Sequence, residues 1–328
     1  MTVAEAPTAP LTGAPAAARA RGLRKVFGST VAIDGVDLDV PAGSVLGMLG
    51  PNGSGKTTFI RMLLGLTRPT AGTAELLGRP MPESAAAVLP HVGALVEGPG
   101  FHPFLSGREN LRRVAAGEPL MPSREIRRAV DAALDRVGLG AAADRRFRGY
   151  SLGMKQRLGL AGALLLPRRL VVLDEPTNGL DPAGTRDVRG IIGDLHAGGA
   201  TVVVSSHLLT EVEATCTHVA VLQSGTLIAA GELRSLLDAD AAGLVVVTPD
   251  VDLALTTLRA AGASAYRDDG GDRAGAAGDA ESAVVVDDGP PAPEVVALLV
   301  RAGVAVHEAR RRRPRLEELF ARLTEGAP

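Results

Sequence analysis

The chain contains one cysteine, Cys216, and no tryptophan among its 328 residues. A lone cysteine rules out an internal disulfide and fits a reducing compartment. Aromatic residues make up only 2% of the chain, so an aromatic beside a motif stands out. Lysine is also scarce: Lys25, Lys56 and Lys155 stand against a background of arginine. No apolar run approaches the ~20 residues that a membrane-crossing helix needs. The formal net charge of -2 gives no global pull towards nucleic acid or an acidic partner. Residues 1–18, rich in Ala, Pro and Thr, lack a basic start followed by an apolar block. They read as a disordered lead-in and not as a secretion signal.

What is present is a regular alternation. Residues 19–238 alternate short apolar runs with helical stretches. Val45–Leu49 and Leu170–Leu173 are continuously apolar, as strands buried on both faces of a mainly parallel sheet are. Val36-Asp-Leu-Asp-Val40 alternates with period two and predicts a half-exposed antiparallel sheet. Residues 106–147 hold few β-branched residues and predict a helical insertion, with helices over 106–116 and 123–137. Beyond residue 243 the order of elements reads βαββαβ, the pattern of a small ferredoxin-like sandwich, whose last strand is expected at Val304–Glu308. A Gly- and Asp-rich loop, 268–280, is expected to be mobile, and a final helix closes the chain. Expected domains are therefore 19–238 and 243–328.

The chemistry begins at Gly50-Pro-Asn-Gly-Ser-Gly-Lys-Thr57, followed by Thr58. An apolar strand precedes this stretch and a helix follows it, the setting in which G-x-x-x-x-G-K-[ST] becomes a phosphate-binding loop. Gly50, Gly53 and Gly55 are expected to let backbone N–H groups approach anionic oxygens where a Cβ would block them. Pro51, Asn52 and Ser54 complete the loop. The helix starting near Lys56 adds its positive dipole end. Lys56 supplies a charge for the β- and γ-phosphates, and the Thr57 hydroxyl suits Mg²⁺. This predicts an α/β fold with a P-loop NTPase core, an antiparallel β subdomain, a helical insertion and a small C-terminal α+β domain.

Leu170-Val-Val-Leu-Asp-Glu-Pro176 ends an apolar strand in two acids. Such a strand delivers them to the carboxyl edge of the sheet, where ligands bind. Asp174 is expected to hold Mg²⁺ through water, and Glu175 to orient and deprotonate an attacking water. Thr201-Val-Val-Val-Ser-Ser-His207 brings His207 to the same edge, in reach of a γ-phosphate. Ser151, in Tyr150-Ser-Leu-Gly-Met154, reads equally as a helix N-cap and as part of an anion site.

Taken in order, these motifs resemble the nucleotide-binding subunit of ATP-binding cassette (ABC) transporters over about residues 21–232. The resemblance implies ATP and Mg²⁺ as ligands and hydrolysis that drives a separate integral-membrane permease. It also implies a head-to-tail dimer with a second copy, in which Ser151 and Gly153 contact the γ-phosphate held by the partner and Asp181 sits at the seam. Phe27 matches the aromatic that stacks on adenine. Two departures stand out. The usual Leu-Ser-Gly-Gly-Gln signature is replaced at Leu152 and Met154, and Glu97 stands where a Mg²⁺-ligating glutamine is usual. Both resemble the bacterial exporters of drugs and peptide antibiotics, which implies a peripheral protein on the cytoplasmic face of the membrane. The alternative is a soluble ABC-type ATPase acting on ribosomes or nucleic acid. Such relatives carry two cassettes or a coiled coil, and residues 98–150 show no sustained heptads.

Overall fold

The computed structural model describes residues 16–98, 100–239, 243–268, 283–312 and 315–325. Two compact units divide the chain, the first running to Leu233 and taking in the chain again from Leu323, the second spanning Arg234–Arg322.

The first unit opens with two long strands, β1 (Ala16–Phe27) and β2 (Thr30–Pro41), paired antiparallel. Ala16–Ala18, expected in the lead-in, instead belong to β1, because Ala17 and Ala18 are buried and Ala18 pairs with Val40. The rest of the lead-in lies outside the described residues. β3 (Val45–Leu49) leads through the phosphate loop into α1 (Lys56–Leu63). β4 (Ala71–Leu76) and β5 (Arg79–Met81) complete an antiparallel sheet of order β2-β1-β4-β5.

A short helix, α2 (Ala85–Val88), leads to β6 (Val92–Leu95). The helical insertion follows as α3 (Gly107–Ala116) and α4 (Ile126–Arg136), then α5 (Leu152–Ala163). Ser106 starts α3 with a capping box, its hydroxyl taking the Glu109 N–H while the Glu109 carboxylate takes its own. The chain then alternates β7 (Leu170–Asp174), α6 (Pro182–Ala197), β8 (Thr201–Ser205), α7 (Leu209–Thr215), β9 (His218–Gln223) and β10 (Thr226–Glu232). These strands form a sheet of order β10-β9-β3-β8-β7-β6, parallel except at β10. Every residue of β3, β7 and β8 is buried, which is why their sequences are apolar without alternation. Phe59, Ile60, Met62 and Leu63 of α1 share one hydrophobic cluster with Leu46, Met48 and Val203. Each such side chain contributes about 1.5–3 kcal/mol by burial. The result is a phosphate loop held between rigid neighbours.

In the second unit, α8 (Leu233–Ala239) is followed by β11 (Leu244–Val247), α9 (Val251–Ala260), β12 (Ser264–Asp268), β13 (Ala283–Asp288), α10 (Ala292–Arg301), β14 (Glu308–Arg311) and α11 (Leu316–Glu325). The sheet order β12-β13-β11-β14 is antiparallel throughout, as the βαββαβ order requires. The last strand lies later than the expected Val304–Glu308. Val304 is buried in the cluster under α9 and α10, and the Ala305 N–H is taken by the Asp250 carboxylate. Pairing with β11 therefore begins only at Glu308. The expected mobile loop falls outside the described residues from 269 to 280.

Candidate active site

Strand order decides which loops meet. β8 lies between β3 and β7, and the parallel register sets Ser205 beside both Met48 and Asp174. The loops leaving the carboxyl ends of these strands therefore converge. They enclose a cavity of about 470 Å³ whose wall includes Asn52, Gly53, Lys56, Thr57, Glu175 and His207.

Two of the three loop glycines sit where no Cβ fits. A Cβ on Gly55, at φ 104°, would lie 2.6 Å from the Ala32 carbonyl oxygen, and one on Gly50 would lie 2.2 Å from that of Leu222. Gly53 is not crowded by its own chain. A Cβ there would meet nothing within 4 Å. What calls for glycine at Gly53 is its backbone, held at φ 81° where a side chain is strained. Its open face turns instead to the cavity it lines.

Lys56, 6% exposed, folds its ammonium back onto the loop, donating to the carbonyls of Gly50 at 2.7 Å and Pro51 at 3.2 Å. Burial holds its pKa below the ordinary lysine value, partly offset by Glu175 and Asp174. The Ser54 hydroxyl is buried without a hydrogen-bond partner, an orphan donor within the loop.

Opposite stands an acidic group. The Asp174 carboxylate accepts from the Ser205 hydroxyl at 2.6 Å, and that hydroxyl takes the Glu175 N–H at 2.9 Å. Glu175 has φ 48°, a conformation costly for a residue with a Cβ. Its carboxylate lies 2.8 Å from His207 Nδ1 and 4.0 Å from Lys56 Nζ. Its carbonyl accepts from Gln156 Nε2 of α5 at 3.0 Å and from the Asn178 N–H at 3.2 Å.

A deep glycine cradle, a buried cation, an orphan hydroxyl and a carboxylate–imidazole pair suit a polyphosphate and a water poised to attack it. Among the described residues no group of three or more His, Cys, Asp or Glu could hold a metal ion. The oxygen donors present, Thr57 and Asp174, fit a hard cation that keeps waters and takes phosphate oxygens as its other ligands.

Comparison with known proteins agrees. A family model described as ABC transporter matches residues 33–178. The daunorubicin resistance ATP-binding protein DrrA3 of Streptomyces coeruleorubidus is 35% identical over 307 residues, covering 92% of this chain and 94% of that protein. This chain belongs to the ABC transporter ATP-binding proteins. The bacitracin transport ATP-binding protein BcrA of Bacillus licheniformis is 41% identical over 211 residues, 63% of this chain and 66% of that one. A solved ATP-binding subunit of an ABC transporter superposes with a TM-score of 0.62 at 26% identity, covering 68% of this chain and 92% of that one. As a member of this family the protein is an ATPase.

The other residues expected to act in this ABC ATPase lie apart from the cavity. Phe27 is 50% exposed, with Lys25 Nζ 4.9 Å from its ring centroid. Ser151 caps α5, accepting the Met154 N–H at 3.3 Å, and Asp181 caps α6, accepting the Gly184 N–H at 2.9 Å. Gly153 packs against Leu180, and Leu152, 65% exposed, covers Gly179, whose Cβ would fall 2.4 Å from the leucine. Glu97 is not among the residues lining the phosphate-loop cavity. It pairs with Arg61 at 2.6 Å and lines a separate cavity of about 480 Å³ beside Phe101, Val114 and Arg168.

Ser205, Gln156, Asn178 and Glu211 enter the site without having been expected there. Glu211 accepts from the Thr177 hydroxyl at 2.8 Å and from the Ser206 hydroxyl at 3.3 Å. Only the acidic first turn after a strand-end histidine hinted at Glu211 in the sequence.

Proposed function

We propose that this ATPase powers a membrane exporter of drug- or antibiotic-like compounds from the cytoplasmic face of the membrane, as a peripheral subunit. Cargo and direction follow from the relatives, which are named for bacitracin transport and daunorubicin resistance. Among the described residues no helix is long and apolar enough to cross a membrane; in this reading a separate integral-membrane permease supplies the transport path.

The single observation that carries the chemistry is the Glu175 carboxylate, 2.8 Å from His207 and 4.0 Å from Lys56 in one cavity. On nucleotide binding Lys56 leaves the Gly50 and Pro51 carbonyls for the β- and γ-phosphates, and the loop N–H groups take up the remaining charge. Thr57 and Asp174 would hold Mg²⁺, which when bound neutralises phosphate charge as a Lewis acid. Glu175 takes the proton of the attacking water, a contribution of about 10²–10⁴-fold. His207 holds the base in place in the resting site and stands within reach of the γ-phosphate once nucleotide binds.

Ser151, Gly153 and Asp181 serve a second copy packed head to tail. Their place on exposed helix starts, away from the chain's own cavity, supports this. Phe27, exposed at the end of β1, stacks on adenine. The cassette begins at β1, with Ala16, and runs to about Leu233, and the ferredoxin-like region after it is an accessory module.

A mild-detergent pull-down of the tagged chain from its own membranes, read by mass spectrometry, tests the assignment. A stoichiometric polytopic membrane protein is expected, and disrupting that partner is expected to raise sensitivity to peptide or anthracycline antibiotics. Recovery of ribosomal proteins in place of a membrane partner would overturn the exporter reading.

A further inference from the structure

We propose that Glu211 is a positioning residue for hydrolysis, holding the Glu175–His207 pair in register from behind. The inference rests on assigning that pair to the reaction, and it concerns how two separate loops are kept facing each other.

Glu175 and His207 leave different strands, β7 and β8. Their direct hydrogen bond joins the loops at the front. Glu211, in the first turn of α7, joins them at the back. One oxygen, Oε2, accepts both the Thr177 hydroxyl at 2.8 Å and the Ser206 hydroxyl at 3.3 Å. Thr177 lies two residues beyond Glu175, and Ser206 immediately precedes His207. A closed ring results: Glu175, Pro176, Thr177, Glu211, Ser206, His207 and back to Glu175.

Further bonds stiffen the His207 side. Ser206 Oγ takes the Leu208 N–H at 3.0 Å, folding the chain around His207, and the Glu211 N–H donates to the Leu208 carbonyl at 3.2 Å. On the other side Glu175 sits at φ 48°. Such a conformation persists only where the surroundings over-determine it. The Glu175 backbone is fixed through Ser205, Gln156 and Asn178, and Glu211 anchors the turn that follows. Without Glu211 the Thr177 and Ser206 hydroxyls lose their shared acceptor, and the loops are joined only through Ser205 and the Glu175–His207 bond itself.

Glu211 does not line the cavity, and its hydrogen bonds go to Thr177, Ser206 and Leu208 and not to the reacting pair, so it acts through their loops. A plain structural role is the competing account, since a carboxylate in the first turn of a helix is stabilising by itself. The two accounts differ in what they move. Loss of positioning lowers kcat and spares nucleotide affinity, whereas loss of a helix-dipole contact lowers the melting temperature and spares kcat.

The experiment compares Glu211→Ala, Glu211→Gln and Thr177→Val in the full chain, with MANT-ATP affinity, ATP turnover and thermal melting measured for each. A misplacement of this order costs about 10- to 100-fold in rate, so Glu211→Ala is expected to lose that much kcat with affinity within about twofold. Glu211→Gln keeps an acceptor oxygen and is expected to recover most of the rate. Thr177→Val removes one of the two anchors without emptying the turn and is expected to fall in between. The Glu211→Ala/Thr177→Val pair is expected to be no slower than Glu211→Ala alone, because both break the same link.

Wild-type kcat in folded Glu211→Ala, or Gln as slow as Ala, would overturn the proposal. Should Glu211→Ala fail to fold, wild-type kcat in Thr177→Val would overturn it as well. Glu175→Gln run alongside separates the two levels of inference. If Glu175→Gln turns over normally, the reacting pair is misassigned. If Glu175→Gln is inactive while Glu211→Ala is not slowed, the proposal for Glu211 fails and the pair stands.

Discussion

Lys56 carries a charge where folding alone gives it little reason to be. It is buried against backbone carbonyls, and burial lowers its pKa despite the nearby Glu175 and Asp174. A lysine whose folded pKa lies below its unfolded value has a charged form that costs more in the folded state. At neutral pH the charge therefore subtracts from stability. The penalty fades only as pH rises through the depressed folded value towards the unfolded one. Lys56→Met is thus expected to melt at the same temperature as the wild type or higher without nucleotide. It is also expected to lose the stabilisation that Mg-ATP gives, which is about 2.7 kcal/mol at 100 times the dissociation constant. Differential scanning fluorimetry with and without Mg-ATP checks both; a lower melting point with an intact nucleotide shift would contradict them. Lys56, Thr57, Asp174, Glu175 and His207 were legible in the sequence because each lies at a strand end or loop whose motif names its chemistry. Ser205, Gln156 and Glu211 were not, because their roles arise from partners about 20 to 35 residues away that only strand register brings close. At Gly53 the motif named the position but not the backbone angle, φ 81°, that also calls for glycine there. The ion pair of Glu97 with Arg61 of α1 was not legible either, because no local pattern announces it.

The element that fixes the phosphate loop from beneath is β3, with α7 pressed directly upon it. At Gly47 a Cβ would lie 2.5 Å from Val212 Cγ1 and 2.9 Å from Cys216 Sγ. The same packing buries the Cys216 thiol and pushes its pKa up to about 12. Only the thiolate reacts with alkylating agents, and an exposed thiol ionises near pH 8.5. Iodoacetamide at pH 8 is therefore expected to label the folded chain at least about a thousandfold more slowly than the unfolded one. Rapid labelling without denaturant would show that α7 does not stay on β3. The shift has a second consequence. The unfolded thiol ionises from about pH 8.5 upward while the folded one cannot, so this group's contribution to stability falls between there and about pH 12. Elements of this kind were legible where burial was two-sided, as in β3, β7 and β8. β1 was harder to see because its buried alanines are interleaved with arginines, and Arg19 and Arg21 pair with Asp39 across the sheet. β14 was misplaced because Val304 reads as a strand residue but packs beneath helices instead.

Across the whole chain, the nucleotide chemistry lies in the first unit, and the second has a sandwich and a core of its own. The central claim is that the cavity at the carboxyl ends of β3, β7 and β8 hydrolyses ATP with Glu175 as base. The most direct test is the Glu175→Gln protein, followed for ATP binding, turnover and mass in solution with Mg-ATP. ATP binding is expected to persist, turnover to fall by about 10²–10⁴-fold, and the chain to accumulate as a nucleotide-dependent dimer. Turnover at the wild-type rate would contradict the account.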